Sequence, residues 1–187
     1  MWKSFLTAMI FLLILSTSFA GAYDIHGDIN LIINNDSARI QIGRACYYFS
    51  SGAESDNMFI RVVASETAYT GDGTYFGYAV CEFAIGTLDS GFCYDNIDQT
   101  TPYVEPGPDQ EYYIAVALVS YSGDIGILLD IYEFEGKHRL GSGSDFAELS
   151  GVAEDTLDIP PQNSNDKKIN YVESSDDTCF VGSLKYK

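Results

Sequence analysis

Residues 95–121 read DNIDQTTPYVEPGPDQEYYIAVALVSY. From Tyr112 to Tyr121 the run is apolar on both faces. Tyr112, Ile114, Val116 and Leu118 share one face, and Tyr113, Ala115, Ala117 and Val119 share the other. A strand with one wet face carries polar residues at alternate positions, so this run predicts a central strand covered on both sides. The connector before it holds Pro102, Pro106 and Pro108, three of the five prolines. Proline lacks the amide that a central ladder uses, so all three are expected outside the ladder, holding the chain extended as it crosses between two sheets. Ser122-Gly123-Asp124 then turns tightly into Gly126–Phe134, which predicts a hairpin.

Toward the N-terminus the pattern keeps a period of two. Ile29, Leu31 and Ile33 alternate with Asn30 and Asn34, and Ile40 and Ile42 alternate with Arg39 and Gln41. Met58, Ile60, Val62 and Ala64 line one face of a third run, with Arg61 and Ser65 on the other, and Tyr75–Ile85 forms a fourth. Strands separated by Gly, Ser, Asp and Asn turns, with no helical period, predict an all-β chain. The expected fold is a single antiparallel β-sandwich of immunoglobulin-like or Greek-key type, with about 6–8 strands. The sandwich is expected over residues 23–135. Beyond it, residues 136–187 are rich in Gly, Ser and Asp, contain Pro160-Pro161, and scatter their apolar residues singly. That composition predicts a largely flexible tail, with an apolar end, TCFVGSLKYK, able to dock on the body.

Met1-Trp2-Lys3 followed by the apolar run Phe5–Leu15, with small residues at Ser18, Ala20 and Ala22, has the form of a signal peptide over residues 1–22. The run is short of the ~20 apolar residues that a membrane anchor needs. The chain is therefore expected to be secreted, periplasmic or held at a cell surface, with no transmembrane segment after cleavage. Its net charge of −17 argues against nucleic acid as a partner, because Lys and Arg must neutralise phosphates there. Cys46, Cys81, Cys93 and Cys179 are disulfide candidates in an exported chain, with three connectivities open. No CxxC spacing is present, which disfavours zinc.

His26 and His138 are the only histidines. Gly141-Ser142-Gly143-Ser144 lacks the spacing of a nucleophile elbow, so nothing points to histidine-based hydrolysis. Paired carboxylates remain available for a hydrolase, with Asp130 and Glu133 expected on opposite faces of the last body strand. Calcium is the cation that oxygen-rich loops would hold, and Asp72, Asp95, Asp98 and Asp124 are the candidate ligands. The 14 tyrosines offer amphipathic contact area. Tyr47, Tyr48, Tyr75 and Tyr103, near strand ends, are the candidates for binding a protein or a carbohydrate.

Several stretches bear a family likeness. FIRVVASETAYTG (Phe59–Gly71) is similar to "LRLELWATxxPYxGG", and GYAVCEFAIGTLDSGFCYDNI (Gly77–Ile97) to "GYxLAEYxLGxLxGGYxYxNI". TPYVEPGPDQEYYIAVALVSYSG resembles "TVPYTxPPxGTYYxxxxLxEYxG". Together, over roughly residues 25–135, they resemble a β-sandwich module of secreted bacterial proteins of uncharacterised function, and CFVGSL resembles a short C-terminal "CFIATA"-type box. The resemblance implies export and a sandwich and supplies no catalytic residues. Cys81 and Cys93 stand where it implies small residues, so a disulfide through them would be particular to this chain. The expected function is an exported, non-catalytic binding or surface-assembly module. The alternatives are a carboxylate-dependent hydrolase and a structural subunit of a surface layer or filament.

Overall fold

The computed structural model describes residues 22–34, 36–48, 54–71, 74–107, 110–122, 125–140, 147–154 and 181–186. Residues 1–21 of the expected signal peptide, Asp72, Asp124, Pro108 and Cys179 lie outside the described residues, and Ala22, the last residue of that peptide, opens β1. Every regular element among the described residues is a strand. In chain order they are β1 (Ala22–Asn34), β2 (Ser37–Tyr48), β3 (Met58–Ser65), β4 (Thr74–Gly86), β5 (Phe92–Pro102), β6 (Glu111–Ser122), β7 (Ile125–Arg139), β8 (Ala147–Ala153) and β9 (Val181–Tyr186).

These strands build an antiparallel β-sandwich. One layer is a four-stranded sheet in the order β5-β2-β1-β8, and the other runs β7-β6-β3-β4. The second layer also closes on itself. β9 pairs antiparallel with Thr74–Tyr78 of β4 and parallel with Ile127 and Leu128 of β7, completing a five-stranded barrel.

β6 explains why both faces of its sequence are apolar. It lies between β3 and β7. Tyr112, Ile114, Val116 and Leu118 enter the core between the layers, where Ile29, Leu31, Ile40, Ile42, Met58 and Ile60 meet them. Ala115, Ala117 and Val119 face the opposite way, into a second core with Val63, Tyr75 and Leu128. Alanine at two of these positions keeps side-chain volume low where a small barrel has little interior to fill. The hairpin also forms as expected, with Ser122 paired to Ile125.

β3 departs from its sequence pattern. Arg61 and Ser65, on the face expected to meet water, are buried, because that face lines the barrel. The connector between β5 and β6 does cross from one layer to the other. Val104 N–H donates to Val80 O at 2.9 Å and Thr101 Oγ1 to Glu82 O at 3.3 Å. It thereby covers the part of the β4 edge that β9 does not reach. Pro102 ends β5 opposite Ser37, so this proline lies in the ladder at the end of an edge strand, a place where a missing amide is tolerated.

The C-terminal boundary also moves. β7 continues through Arg139, and Ala147–Ala153 pairs with Gly27–Ile33 as the edge strand β8. Among the β8 residues whose burial is described, 148–153, Leu149 and Ala153 are buried, which is why its apolar residues look scattered in sequence.

Two neighbouring strands of the barrel wall, β3 and β4, approach closely at Gly77. A Cβ there would lie 2.5 Å from Ala64 O and 2.6 Å from Val63 Cγ1. Backbone cannot yield as a flexible side chain can, so Gly77→Ala is expected to destabilise the protein by about 1–3 kcal/mol. Urea titration measures this, and an unchanged midpoint would contradict the close approach.

Candidate functional site

The four tyrosines singled out from sequence do not share a surface. Tyr47 is buried in the core between the layers, its ring 4.8 Å from that of Tyr23. Tyr48 faces the other way, its hydroxyl 3.7 Å from Cys93 Sγ. Tyr75 is buried in the barrel, where its hydroxyl donates to Glu133 Oε2 at 2.9 Å and its ring stands edge-on to Tyr69. Burial, reinforced by the Glu133 carboxylate, holds the Tyr75 hydroxyl well above its ordinary pKa. Tyr103 lies on the connector, its hydroxyl buried with no hydrogen-bond partner among the described residues and pushed up to about 12, chiefly by burial. A single tyrosine-bearing binding face is therefore not what the fold builds. Tyr47 and Tyr75 are core residues.

The aspartates of β5 are also taken up internally. Asp98 accepts from Arg39 Nε at 2.8 Å, from Arg39 Nη2 at 2.5 Å and from Gln41 at 3.1 Å. The hydrogen bond from Arg39 holds the Asp98 carboxyl below the usual carboxylate range. Asp95 accepts from Arg44 Nε at 2.5 Å, directly across the β2–β5 ladder. Each thus faces an arginine rather than an open loop. Among the described residues no three His, Cys, Asp or Glu side chains come together as a metal-holding group.

Of the cysteines, Cys46 and Cys93 form a disulfide between directly paired residues of β2 and β5. Cys81 is a free, buried thiol whose pKa burial raises to about 12.

Two polar groupings line the barrel. At one end Arg61 Nε donates to Glu82 Oε2 at 2.6 Å, and the Tyr121 hydroxyl joins both, donating to the same carboxylate at 2.5 Å. At the other end Glu133 accepts from Tyr75 and from the backbone of Tyr69. Arg61 and Glu82 form an ion pair, whereas the Glu133 carboxylate is held by two neutral donors.

A third grouping brings together residues 105 positions apart. β8 covers β1 only from Gly27 onward. At the uncovered start of β1, Asp130 reaches over from β7 and accepts the Ile25 amide at 2.7 Å. A register shift in β7 between its partners Leu118 and Val119 puts Asp130 on this side of the strand, while Glu133 points into the barrel, so the two carboxylates do face opposite ways. Beside Asp130, His26 Nδ1 donates to Asp24, whose carboxylate is fully buried. Burial raises the Asp130 carboxyl to about 6. The amides of Ile25 and Ile131 oppose that rise, and the neighbouring Asp24 charge adds to it. A buried carboxyl with a raised pKa beside a second carboxylate and an imidazole is a grouping of the kind acid–base chemistry uses. The sequence places Asp24 and His26 on one face of β1 but carries no signal that Asp130 joins them.

No family model, no curated protein and no solved structure matches the chain. Its function is therefore argued from its own geometry.

Asp130 leaves a pH signature. Its folded-state value lies above that of a free carboxyl, so the native state holds this proton more tightly than the unfolded chain does. The stabilisation is complete below about pH 4 and is lost as pH rises toward about 6, a change on the order of 3 kcal/mol. In Asp130→Asn the amide oxygen still accepts from Ile25 and no charge is buried. This variant is expected to be more stable than wild type at pH 7.5 and equally stable at pH 4, measured by urea titration. Equal stability at both pH values would contradict the assignment.

Proposed function

We propose that this protein is an exported, non-catalytic module that works through its outer surfaces, by assembling with protein partners. One observation carries the reading. The large apolar side chains that stay exposed among the described residues are Phe76, Val104, Ile125 and Val152, and each belongs to a strand edge or its cover. Val152 is on the edge strand β8, Val104 on the connector along β4, and Phe76 and Ile125 on the strands that flank β9. Exposed apolar residues placed along sheet edges are what a protein-binding surface requires. Arg39, Arg44 and Arg61, by contrast, each pair with a carboxylate of a neighbouring strand. The disulfide, and the absence of any helix among the described residues long and apolar enough to cross a membrane, accord with a place outside the cytoplasm. The signal-like start and the resemblance to secreted sandwich modules support the same reading.

Sedimentation velocity over a rising concentration series tests it. Reversible association is expected, weakened at least about tenfold by Phe76→Asp or Val152→Asp. A single monomeric species at every concentration would count against self-assembly.

A second reading has its own observation, the Asp24–His26–Asp130 grouping with its elevated carboxyl. It would serve a hydrolase in which Asp130 supplies the proton. Turnover of a glycoside panel that peaks below pH 6 and disappears in Asp130→Asn would favour it. Turnover unaffected by that substitution would eliminate this site.

A further inference from the structure

We propose that β9 is an exchangeable strand, donated by one copy of this protein to complete the barrel of a second copy. The inference rests on the assembly reading above and names the surface and partner through which assembly occurs.

Four observations converge on the β9 seam. The first is how the strand is held. β9 makes five ladder pairs with β4 and two with β7, and Thr74–Gly77 pair with no strand other than β9 among the described residues. The last strand therefore closes the wall around a ready-made apolar core of Val63, Tyr75, Ala115, Ala117, Val119 and Leu128. A sheet gap over such a core accepts any strand of the right register, whether from its own chain or from another.

The second observation is reach. β8 ends at Ala153 in the opposite layer, and residues 155–180 lie between it and β9. Fully extended, that stretch spans up to roughly 90 Å, well beyond a body roughly 35 Å across. The same β9 can therefore fill its own barrel or a neighbour's. Closed and exchanged forms make the same ladder contacts, so local protein concentration decides between them. Linkers of this kind give effective concentrations of about 1 mM or below, which crowding on a surface can rival.

The third is the flank. Phe76 pairs with Ser183, and Ile125 lies two residues before Ile127, the partner of Lys185. Phe76 and Ile125 thus stand on either side of β9 at the level of Ser183, and they are 62% and 56% exposed. Both belong to the face of the barrel wall that carries Tyr78 and Ile127, which pack on the core between the layers. Apolar side chains left open beside a replaceable strand are a surface suited to being covered when two copies meet.

The fourth is charge. Residues 181–187 carry Lys185 and Lys187 and no acid, in a chain of net charge −17. The donated segment is attracted to an acidic acceptor that otherwise repels its own copies.

A cysteine trap tests the exchange on the full chain. Phe76→Cys and Ser183→Cys are made separately, each with Cys179→Ser, mixed at high concentration and oxidised without denaturant. The expected product is a disulfide-linked heterodimer of Phe76→Cys with Ser183→Cys. In the double variant Phe76→Cys/Ser183→Cys, oxidised when dilute, the link is expected within one chain and should abolish association of the protein on later concentration. Wild-type protein that associates while the mixture yields no heterodimer, or while the internally linked variant still associates, overturns the exchange and leaves assembly to another surface. Wild-type protein that stays monomeric throughout overturns the assembly reading as well. Failure of the double variant to link internally overturns the β4–β9 register itself.

Discussion

Arg61→Ala is expected to cost the protein about 3 kcal/mol, among the largest losses available to a single substitution outside the apolar cores. Arg61 is almost wholly buried in the wall of the barrel. Its guanidinium bonds Glu82 on the neighbouring strand and the Tyr121 hydroxyl, and it lies 5.5 Å from the centre of the Tyr121 ring. Removing one member of a buried ion pair leaves the other charged and unpaired, at a cost of about 3–5 kcal/mol. Glu82 keeps some contact with water, which places the loss at the lower end. For a domain with about 5–15 kcal/mol of total stability this is a large share. Two further variants separate charge from packing. Replacing both partners, as in Arg61→Leu with Glu82→Leu, removes the uncompensated charge and should recover most of the loss. Tyr121→Phe should cost about 1 kcal/mol, the worth of its hydrogen bonds. Urea titration of the set decides it, and a loss under about 1 kcal/mol for Arg61→Ala would mean that the network is not buried as described.

The Cys46–Cys93 disulfide carries an effect of similar size. It closes a sequence separation of 47 residues, and loop-closure entropy for that length amounts to about 4 kcal/mol. It also pins β5, an edge strand whose ladder partner is β2, to the sheet. The double replacement Cys46→Ala/Cys93→Ala is expected to lower stability by about 2–4 kcal/mol. Both cysteines are almost completely buried, so a thiol reductant should leave the native protein oxidised. Alkylation followed by peptide mass spectrometry should then find label at Cys46 and Cys93 only when reductant and denaturant are present together. Label at these positions in the native, reduced sample would show that the strand pair opens freely.

How much of this was legible in the sequence depends on what a period of two can report. It marks a strand and which of its residues are buried together, and that suffices for β1, β2 and the inter-layer face of β3. It also suffices for β6, where an apolar second face has few explanations besides cover on both sides. It fails for the second face of β3. Arg61 in an alternating pattern looks solvated, and only the neighbouring Glu82 and Tyr121, remote in sequence, make its burial tolerable. The same limit hid the corner at Asp130. Asp24 and His26 precede the alternating run that marks β1, and nothing local announces that β7 covers them. β8 was obscured for a different reason, since an edge strand with Glu148, Ser150 and Val152 exposed between Leu149 and Ala153 needs little hydrophobicity.

The candidate sites fared as residue types rather than as places. Tyrosines near strand ends and aspartates near turns are common to binding loops and to well-built sandwiches. Only partners separate the two, and here Tyr75 found Glu133, Asp95 found Arg44 and Asp98 found Arg39. The even cysteine count allowed three connectivities, and register chose Cys46 with Cys93 because those residues lie directly opposite in the ladder.

Hydrogen exchange at Thr74–Gly77 of the full chain tests the closure of the barrel most directly. These residues have β9 as their ladder partner, whereas Tyr78–Gly86 pair with β3. The closed barrel predicts slowed exchange at the amides of 74–77 that face β9, and loss of that protection, with β6 still protected, when Ser183→Pro removes a β9 amide. Exchange at 74–77 as fast as in an unstructured peptide, in the unaltered protein, would contradict a barrel closed by residues 181–186.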